Sequence, residues 1–179
     1  TGDLFNLFVF FEILLIASYG LLVYGNGAAR ARAGMHYVVL NLLGSSFFLI
    51  GVGTLYGLLG TLNMADLAAR VGSAGPDTAP IIAAAGFLLL VVFGLKAAIL
   101  PLYFWLPRTY SAASPAVAAL FAIMTKVGLY AILRVFTLIF GSEAGELAFY
   151  AHDWLWWLAL MTLAAAAIGA LGSRTLQEM

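Results

Sequence analysis

The stretch FGLKAAILPLYFWLPRTYSAASPAVAALFAIMTKVGLYAILR, residues 93–134, decides the fold because prolines interrupt a long apolar run. Pro101 has no backbone N–H to donate, and it forces the preceding residue away from helical geometry, so a helix must end just before it. Pro107 is expected to break the chain again. We predict a helix over 80–100 and a short second piece over 102–110. Broken backbone at membrane depth is tolerated only where it is buried in protein or lines a wet cavity.

The composition indicates an integral membrane protein. Of the 179 residues, 64% are hydrophobic and only 9% are charged, whereas about a quarter are charged in ordinary soluble domains. The mean hydropathy is +1.06, and so few charges cannot build a water-soluble surface. The net charge of zero argues against nucleic acid as a partner. The absence of cysteine excludes a disulfide, a thiolate metal site and a redox dithiol.

Five apolar stretches are long enough to cross a bilayer, which takes about 20 residues of helix. We predict an all-α, polytopic transmembrane bundle of about five spans, with the third span broken near Pro101. The first helix is expected to end at Gly25, Asn26 and Gly27, and the fourth to start at Ser114 and Pro115. The approximate helix bounds are residues 4–24, 36–59, 80–100 with 102–110, 115–140 and 154–171.

Charges in the connecting loops predict the orientation in the membrane. Arg30 and Arg32 follow the first predicted helix, Arg108 follows the first part of the third, and Arg174 follows the fifth. The loop before the fifth helix, residues 141–153, carries acidic side chains and no Lys or Arg. Because basic residues concentrate in cytoplasmic loops, we expect the basic loops and the C-terminus to face the cytoplasm.

Three ionisable side chains, Glu12, Lys96 and Lys126, lie inside the predicted spans. A charge at the bilayer centre costs about 2.5–3.5 kcal/mol on insertion scales, so such residues generally mark a proton or ion path. Simpler interpretations exist: a neutral Glu bonded to a neighbouring helix, a lysine that extends to the interface, or a structural lysine paired with a carboxylate outside this sequence. The position of Lys96 beside the break at Pro101 favours a path, because discontinuous helices mark ion sites in transporters.

Other polar residues are candidates for accessory roles. His36 could sense pH or gate proton entry, although an interfacial histidine is the simpler interpretation. Thr125 adjoins Lys126, and Tyr130 shares its helical face. A group on the second predicted helix fits close packing or interhelical hydrogen bonds: Asn41, Gly44, Ser45, Ser46, Gly53 and Gly57. We find no phosphate loop, nucleophile with its base, or metal cluster, so no cofactor and no metal are expected.

Three segments resemble one family of membrane proteins. TGDLFNLFVFFEILLIASYGLL, residues 1–22, resembles the fifth helix of the antiporter-like subunits of Mrp-type cation/proton antiporters and respiratory complex I. HYVVLNLLGSSFFLIGVGTLYGLLGTLNMADLA, residues 36–68, is similar to the D-type component of Mrp (Mnh, Pha) antiporters in particular. Residues 93–134 carry the strongest resemblance, with both lysines and the broken helix. The terminal SRTLQEM departs from complex I relatives and favours the D-type antiporter component.

The resemblance implies a role for each buried charge. It makes the chain a single transmembrane region, 1–179, that is a fragment of a fourteen-helix, inverted-repeat domain. Glu12 would pair with Lys96, and Lys126 would be the next proton acceptor, with His36, Tyr130, Thr125 and Pro101 as gating or accessory residues. The expected partners are protons, Na⁺ or K⁺, the lipid bilayer and other subunits of a hetero-oligomeric complex. The expected location is the bacterial cytoplasmic membrane.

Three functions stay open from the sequence. The first is a subunit of a multisubunit Na⁺ or K⁺/proton antiporter, which is a secondary transporter and not an enzyme. The second is a proton-translocating subunit of NADH:quinone oxidoreductase (complex I) or of a membrane hydrogenase, driven by distant redox chemistry. The third is a membrane scaffold that does not transport and only anchors partner subunits. The buried charges favour the first two.

Overall fold

The computed structural model describes residues 1–24 and 27–173, and this part of the chain is helical apart from an isolated bridge between Asp3 and Asn63. Its α-helices are α1 (Leu4–Val23), α2 (Ala28–Leu59), α3 (Met64–Gly72), α4 (Ala79–Ala97), α5 (Trp105–Ala112), α6 (Pro115–Leu138) and α7 (His152–Gly172). Short 3₁₀ helices at Leu102–Phe104 and Gly145–Leu147 precede α5 and α7.

Within residues 1–24 and 27–173, five helical segments are long and apolar enough to cross a membrane: Leu4–Val23, Arg30–Leu59, Ala79–Ala112, Pro115–Leu138 and Gly145–Gly172. The all-α bundle of about five spans is therefore confirmed, and so is the break in the third span. Gly25 and Asn26 at the predicted end of the first helix lie outside the described residues. The same is true of Arg174, used in the charge argument, and of all but the first residue of SRTLQEM.

The second span begins earlier than the hydrophobic pattern predicts. We expected its start at His36, whereas α2 starts at Ala28, and Arg30 and Arg32 lie in its first turns. Ala and Arg are strong helix formers, so the helix continues past the apolar stretch. Arg30 is anchored there by hydrogen bonds from Nε to the Ala112 carbonyl and from Nη1 to the Tyr24 carbonyl, each 3.0 Å.

A short helix, α3, follows the second span on the opposite side of the bundle. The Asn63 side chain caps it by accepting from the Ala65 and Asp66 amides at 3.0 and 3.2 Å. Asp66 lies in its first turn and accepts from Arg70 Nε at 3.0 Å. This hydrogen bond from Arg70 lowers the pKa of the Asp66 carboxyl below its ordinary value. Backbone bonds such as Leu4 N to the Leu62 carbonyl, 2.9 Å, tie the start of α1 to this connector.

The helices enclose two clusters of buried side chains. The larger cluster fills the space between α1, α2, α4 and α6 and includes Phe48, Phe93 and Phe136. The smaller one surrounds Tyr37 and Phe121, near the Arg30 end of the bundle. α7 differs, since none of its side chains is buried within the described part of the chain.

Within the described residues, two glycines lack the close packing that the sequence suggested. Gly53 and Gly57 form a small-xxx-small pair, but among the described residues no atom lies within 4 Å of where a Cβ would stand on either. Close packing occurs instead at Gly128 of α6. A Cβ there would lie 2.6 Å from the Ala97 nitrogen and 2.8 Å from the Lys96 carbonyl carbon. This glycine lets α6 cross α4 directly at the end of the helix that carries Lys96.

Candidate functional site

The break in the third span is a capped helix end rather than a frayed one. α4 stops at Ala97, three residues before the predicted end, because Ala98 adopts a left-handed backbone conformation with φ 56°. The next residue, Ile99, donates its amide to the Gly94 carbonyl at 2.9 Å. This hydrogen bond is typical of the Schellman motif at helix C-termini. The prediction that Pro107 breaks the chain again is wrong. Pro107 lies in the first turn of α5, where a missing N–H removes no helical bond.

Two side chains from elsewhere form hydrogen bonds with backbone groups at the break. The Trp105 indole Nε1 donates to the Leu95 carbonyl at 2.9 Å. The Thr162 hydroxyl of α7 accepts the Leu100 amide, also at 2.9 Å, while it donates to the Leu158 carbonyl of its own helix. Unpaired polar groups at membrane depth are costly, so these two bonds stabilise the break.

Lys96 occupies the last turn of α4 and is buried, with 5% of its surface exposed. Its Nζ has no hydrogen-bond partner within the described residues. It lies 5.3 Å from the centre of the Phe11 ring, a cation–π contact. Such a contact offsets only part of the cost of removing an ammonium from water. Lys96 is thus a buried cation without a direct anionic or hydrogen-bonding partner among the described residues.

Glu12 lies next to Phe11 on α1 and is half-buried. Its carboxylate accepts a short hydrogen bond from the Ser45 hydroxyl of α2. Glu12 directly follows Phe11, whose ring lies 5.3 Å from Lys96 Nζ. Glu12 and Lys96 do not form an ion pair, since Arg70 with Asp66 is the one such contact within 4.0 Å among the described residues. The structure thus places Glu12 and Lys96 near one another but holds Glu12 on Ser45.

Lys126 faces away from this pair. It lies at the middle of α6, two residues before the crossing glycine Gly128, and its side chain is exposed. Tyr130 and Arg134, one and two turns further along, are exposed on the same face. Thr125 is buried but donates to the Ala122 carbonyl of its own helix at 3.0 Å. The structure therefore brings Lys126 to the depth of Lys96 without bringing their side chains together.

The remaining sequence candidates lie apart from the two central charges. His36 is exposed on α2, and its ring centre is 6.1 Å from that of Phe104. Pro101 is exposed within the break. The described part of the chain contains no group of three His, Cys, Asp or Glu side chains able to hold a metal ion.

The three charged side chains and Ser45 each lie near the middle of the span that carries them. Glu12 lies close to the middle of the span Leu4–Val23, and Lys126 close to the middle of Pro115–Leu138. Lys96 and Ser45 lie near the midpoints of their own spans, Ala79–Ala112 and Arg30–Leu59.

Ser45, Thr162 and Trp105 were not predicted as site residues. Ser45 could have been found, because it lies in a polar group already noted on that helix, whereas nothing in the sequence pairs Thr162 with Leu100.

A family model described as NADH:quinone oxidoreductase/Mrp antiporter, TM, matches residues 1–179. The sequence is 48% identical over 179 residues to the D component of a probable K⁺/H⁺ antiporter of Rhizobium meliloti (strain 1021), covering 100% of this chain and 33% of that protein. It is 51% identical over 172 residues to the D component of a Na⁺/H⁺ antiporter of Bacillus subtilis (strain 168), covering 96% of this chain and 34% of that protein. The chain spans about a third of the length of these relatives.

Solved structures of large membrane complexes contain the same fold. A chain of the Mrp complex from Dietzia sp. DQ12-45-1b superimposes with a TM-score of 0.78 at 36% identity, covering 97% of this chain and 32% of that one. A chain of the membrane-bound sulfane sulfur reductase, an archaeal respiratory membrane complex, superimposes with a TM-score of 0.89 at 35% identity, covering 100% and 36%. This fold thus occurs in an Mrp complex and in a respiratory membrane complex.

Proposed function

Because the chain belongs to the NADH:quinone oxidoreductase/Mrp antiporter family of membrane proteins, as the resemblance predicted, we propose that it is part of a D-type subunit of a multisubunit monovalent cation/proton antiporter. The names of its relatives support this assignment, since both are D components of antiporters. The subunit works as a secondary transporter among other subunits in the bacterial cytoplasmic membrane. The transported cation is Na⁺ or K⁺, as one relative is named for each.

The observation that carries the proposal is the buried Lys96, without a hydrogen-bonding partner among the described residues. A desolvated ammonium is stabilised mainly by nearby negative charge, here that of Glu12. Lys96 therefore holds its proton while Glu12 is ionised, and it releases the proton once Glu12 is neutralised. The Ser45 hydroxyl, which donates to Glu12, stabilises the ionised carboxylate and so favours the state in which Lys96 is charged.

Lys126 is the next proton acceptor in this scheme. It lies at the same depth as Lys96, on the helix that crosses the end of α4 at Gly128. Its exposed side chain faces outward from the described residues, together with Tyr130. We place the continuation of the path there, in the part of the full-length subunit that this chain does not include.

The test is exchange by the complete complex containing a full-length subunit with Glu12→Ala. Vesicles containing the complex are given a cation gradient, and the cation-dependent change in internal pH is followed. We expect Glu12→Ala to abolish exchange while the complex still assembles. Arg70→Gln is the matched control, because it removes another charge, lies outside the spans and should leave exchange unchanged. Exchange at the parental rate in Glu12→Ala would overturn the assignment.

A second function, proton translocation driven by redox chemistry, is favoured by the match to the respiratory sulfane sulfur reductase. An antiporter and a redox-driven proton pump differ in their energy source. An antiporter complex exchanges protons for Na⁺ or K⁺ in vesicles without any electron donor. A redox-driven complex moves protons only while it is reduced and reoxidised, and its genes adjoin those of iron–sulfur and quinone-site subunits.

A scaffold makes the opposite prediction for the lysines. Under that function Lys96→Met and Lys126→Met leave transport intact, and defects in assembly arise from substitutions elsewhere. The burial of Lys96 argues against a scaffold, because an unpaired cation destabilises the bundle and only a transported charge gives it a use.

A further inference from the structure

The interface between α1 and α2 contains polar side chains, and apart from Ser45 the scheme above does not use them. We call Ser18 of α1 and Tyr37, Asn41 and Ser45 of α2 the α1–α2 seam. Their exposed fractions are 0%, 0%, 3% and 5%. Buried polar groups inside a membrane span are costly and are generally kept for a function or for an interhelical hydrogen bond. Four of them on one interface in so apolar a chain therefore indicate a role.

Two hydrogen bonds cross the seam between α1 and α2, and we call them its two rungs. At mid-membrane, the Ser45 hydroxyl donates to the Glu12 carboxylate. About two turns away, the Ser18 and Tyr37 hydroxyls are 3.0 Å apart. The Ser18 hydroxyl donates to the Leu15 carbonyl of its own helix at 2.7 Å, so it accepts from Tyr37, and a proton can pass from Ser18 along the seam only after this bond turns over. Asn41 lies one turn from each rung on α2, with its Nδ2 donating to the Tyr37 carbonyl at 2.9 Å. Both rungs thus join the same two helices, with a polar amide between them.

The polar side chains of the seam form a line that runs along the axis of α2. Tyr37, Asn41 and Ser45 are spaced four residues apart, so they form one stripe along α2. At 1.5 Å per residue, Ser45 lies about 12 Å from Tyr37 along the helix axis, and Tyr37 about 10 Å from Arg30. Arg30 marks the end of the bundle where α1 and α5 end and α2 and α6 begin. The stripe thus extends from Glu12 at mid-membrane toward that face.

We propose that the α1–α2 seam carries protons between the Arg30 face of the membrane and Glu12. This rests on the function proposed above and names a route for that site. Each hydroxyl gives its proton to the next acceptor and takes one from the donor behind it. The net result is one proton delivered to the Glu12 carboxylate, with no bond to carbon broken and nothing oxidised. The two rungs lie about 12 Å apart along α2, so transfer between them requires a bridging water beside Asn41, whose side chain can both donate and accept but does not itself titrate.

Three substitutions in the complete complex test the seam. Tyr37→Phe removes a hydroxyl about 12 Å along the helix from Ser45, so it alters the route without altering the contact with Glu12. Ser45→Ala removes the last donor, and Ser45→Thr keeps it. We expect the first two to slow exchange per assembled complex by about 100-fold or more, in the range typical of lost proton-transfer groups. Ser45→Thr should restore exchange to near the parental rate.

Matched controls separate transfer from packing. Ser46 is exposed beside Ser45 and its hydroxyl donates to the Leu42 carbonyl of its own helix at 3.0 Å, so Ser46→Ala should not change the rate. Tyr56→Phe removes the hydroxyl of an exposed tyrosine on the same helix and should also leave the exchange rate unchanged. The ratio of exchange rates in H₂O and D₂O should change in Tyr37→Phe, because another proton transfer becomes limiting, whereas a purely structural effect would leave that ratio unaltered.

The outcomes are distinct from those of the proposed function. If Tyr37→Phe and Ser45→Ala both exchange at the parental rate while Lys96→Met is inactive, the seam is wrong and the antiporter assignment stands. If Lys96→Met is also active, the assignment itself fails. Slow exchange in Tyr37→Phe with an unchanged isotope ratio, or loss of assembly alone in both seam variants, would show that the seam only packs α1 against α2.

Discussion

Thr162→Val should loosen the break beside Lys96 without changing the shape of the side chain there. In the structure the Thr162 hydroxyl accepts the Leu100 amide at 2.9 Å and donates to the Leu158 carbonyl at 2.6 Å. Valine is nearly isosteric and removes both bonds. A backbone N–H left without an acceptor costs about 1–3 kcal/mol, and the lower part of that range applies because this bond is only partly buried. About 1–1.4 kcal/mol corresponds to about 5- to 10-fold in an opening equilibrium.

Hydrogen exchange of the Leu100 amide in the assembled complex measures this directly. A peptide that covers the break suits this measurement, because Pro101 has no amide hydrogen and contributes nothing to the exchange signal. Thr137→Val is the matched control. Thr137 also donates to a carbonyl of its own helix, that of Leu133 at 2.6 Å, and it lies exposed on α6. Exchange about 5- to 10-fold faster in Thr162→Val, normal in Thr162→Ser and normal in Thr137→Val supports the reasoning. Equal exchange at the break in Thr162→Val and in the parent would refute it.

Three further predictions concern the surroundings of the site. Gly128→Ala places a Cβ 2.6 Å from the Ala97 nitrogen, so it should destabilise the complex by about 1–3 kcal/mol in thermal unfolding, whereas Gly53→Ala has open space and should not. Trp105→Phe removes the donor to the Leu95 carbonyl and should raise hydrogen exchange in the last turn of α4, while Trp156→Phe, at an exposed position, should leave it unchanged. Arg70→Gln removes the hydrogen bond that lowers the pKa of Asp66, so titration of that carboxyl should move up toward its ordinary value. In the parent, the contribution of the ionised Asp66 to α3 is complete above that ordinary value and is lost as the pH falls through the lowered pKa, and a Gln variant that titrates like the parent would contradict this cause.

Features that depend on local chemistry could be predicted from the sequence. The five spans follow from the length of the apolar runs, and the break in the third follows from the missing amide of Pro101. The depth of Glu12, Lys96 and Lys126 follows from their position along these runs. The exact end of α4 does not, because it depends on a left-handed turn at Ala98 that an alanine seldom adopts.

Features that depend on which helices meet could not be predicted in the same way. The early start of α2 involves an arginine bonded to the Ala112 carbonyl, 82 residues away in the chain. The contact of Ser45 with Glu12 requires the relative rotation of α1 and α2, which apolar periodicity does not define when a helix is apolar on every side. For the same reason, the sequence placed Lys126 on the path but could not show that its side chain faces away from Lys96.

The proposal that Lys96 releases and rebinds a proton is tested most directly by exchange in Lys96→Arg. Arginine keeps the positive charge beside Phe11, but it is not deprotonated in proteins. The measurement is the initial rate of Na⁺- or K⁺-driven proton movement per assembled complex in vesicles. We predict that Lys96→Arg assembles and does not exchange. Exchange near the parental rate would show that only the charge of Lys96 matters, and it would contradict a proton path through this residue.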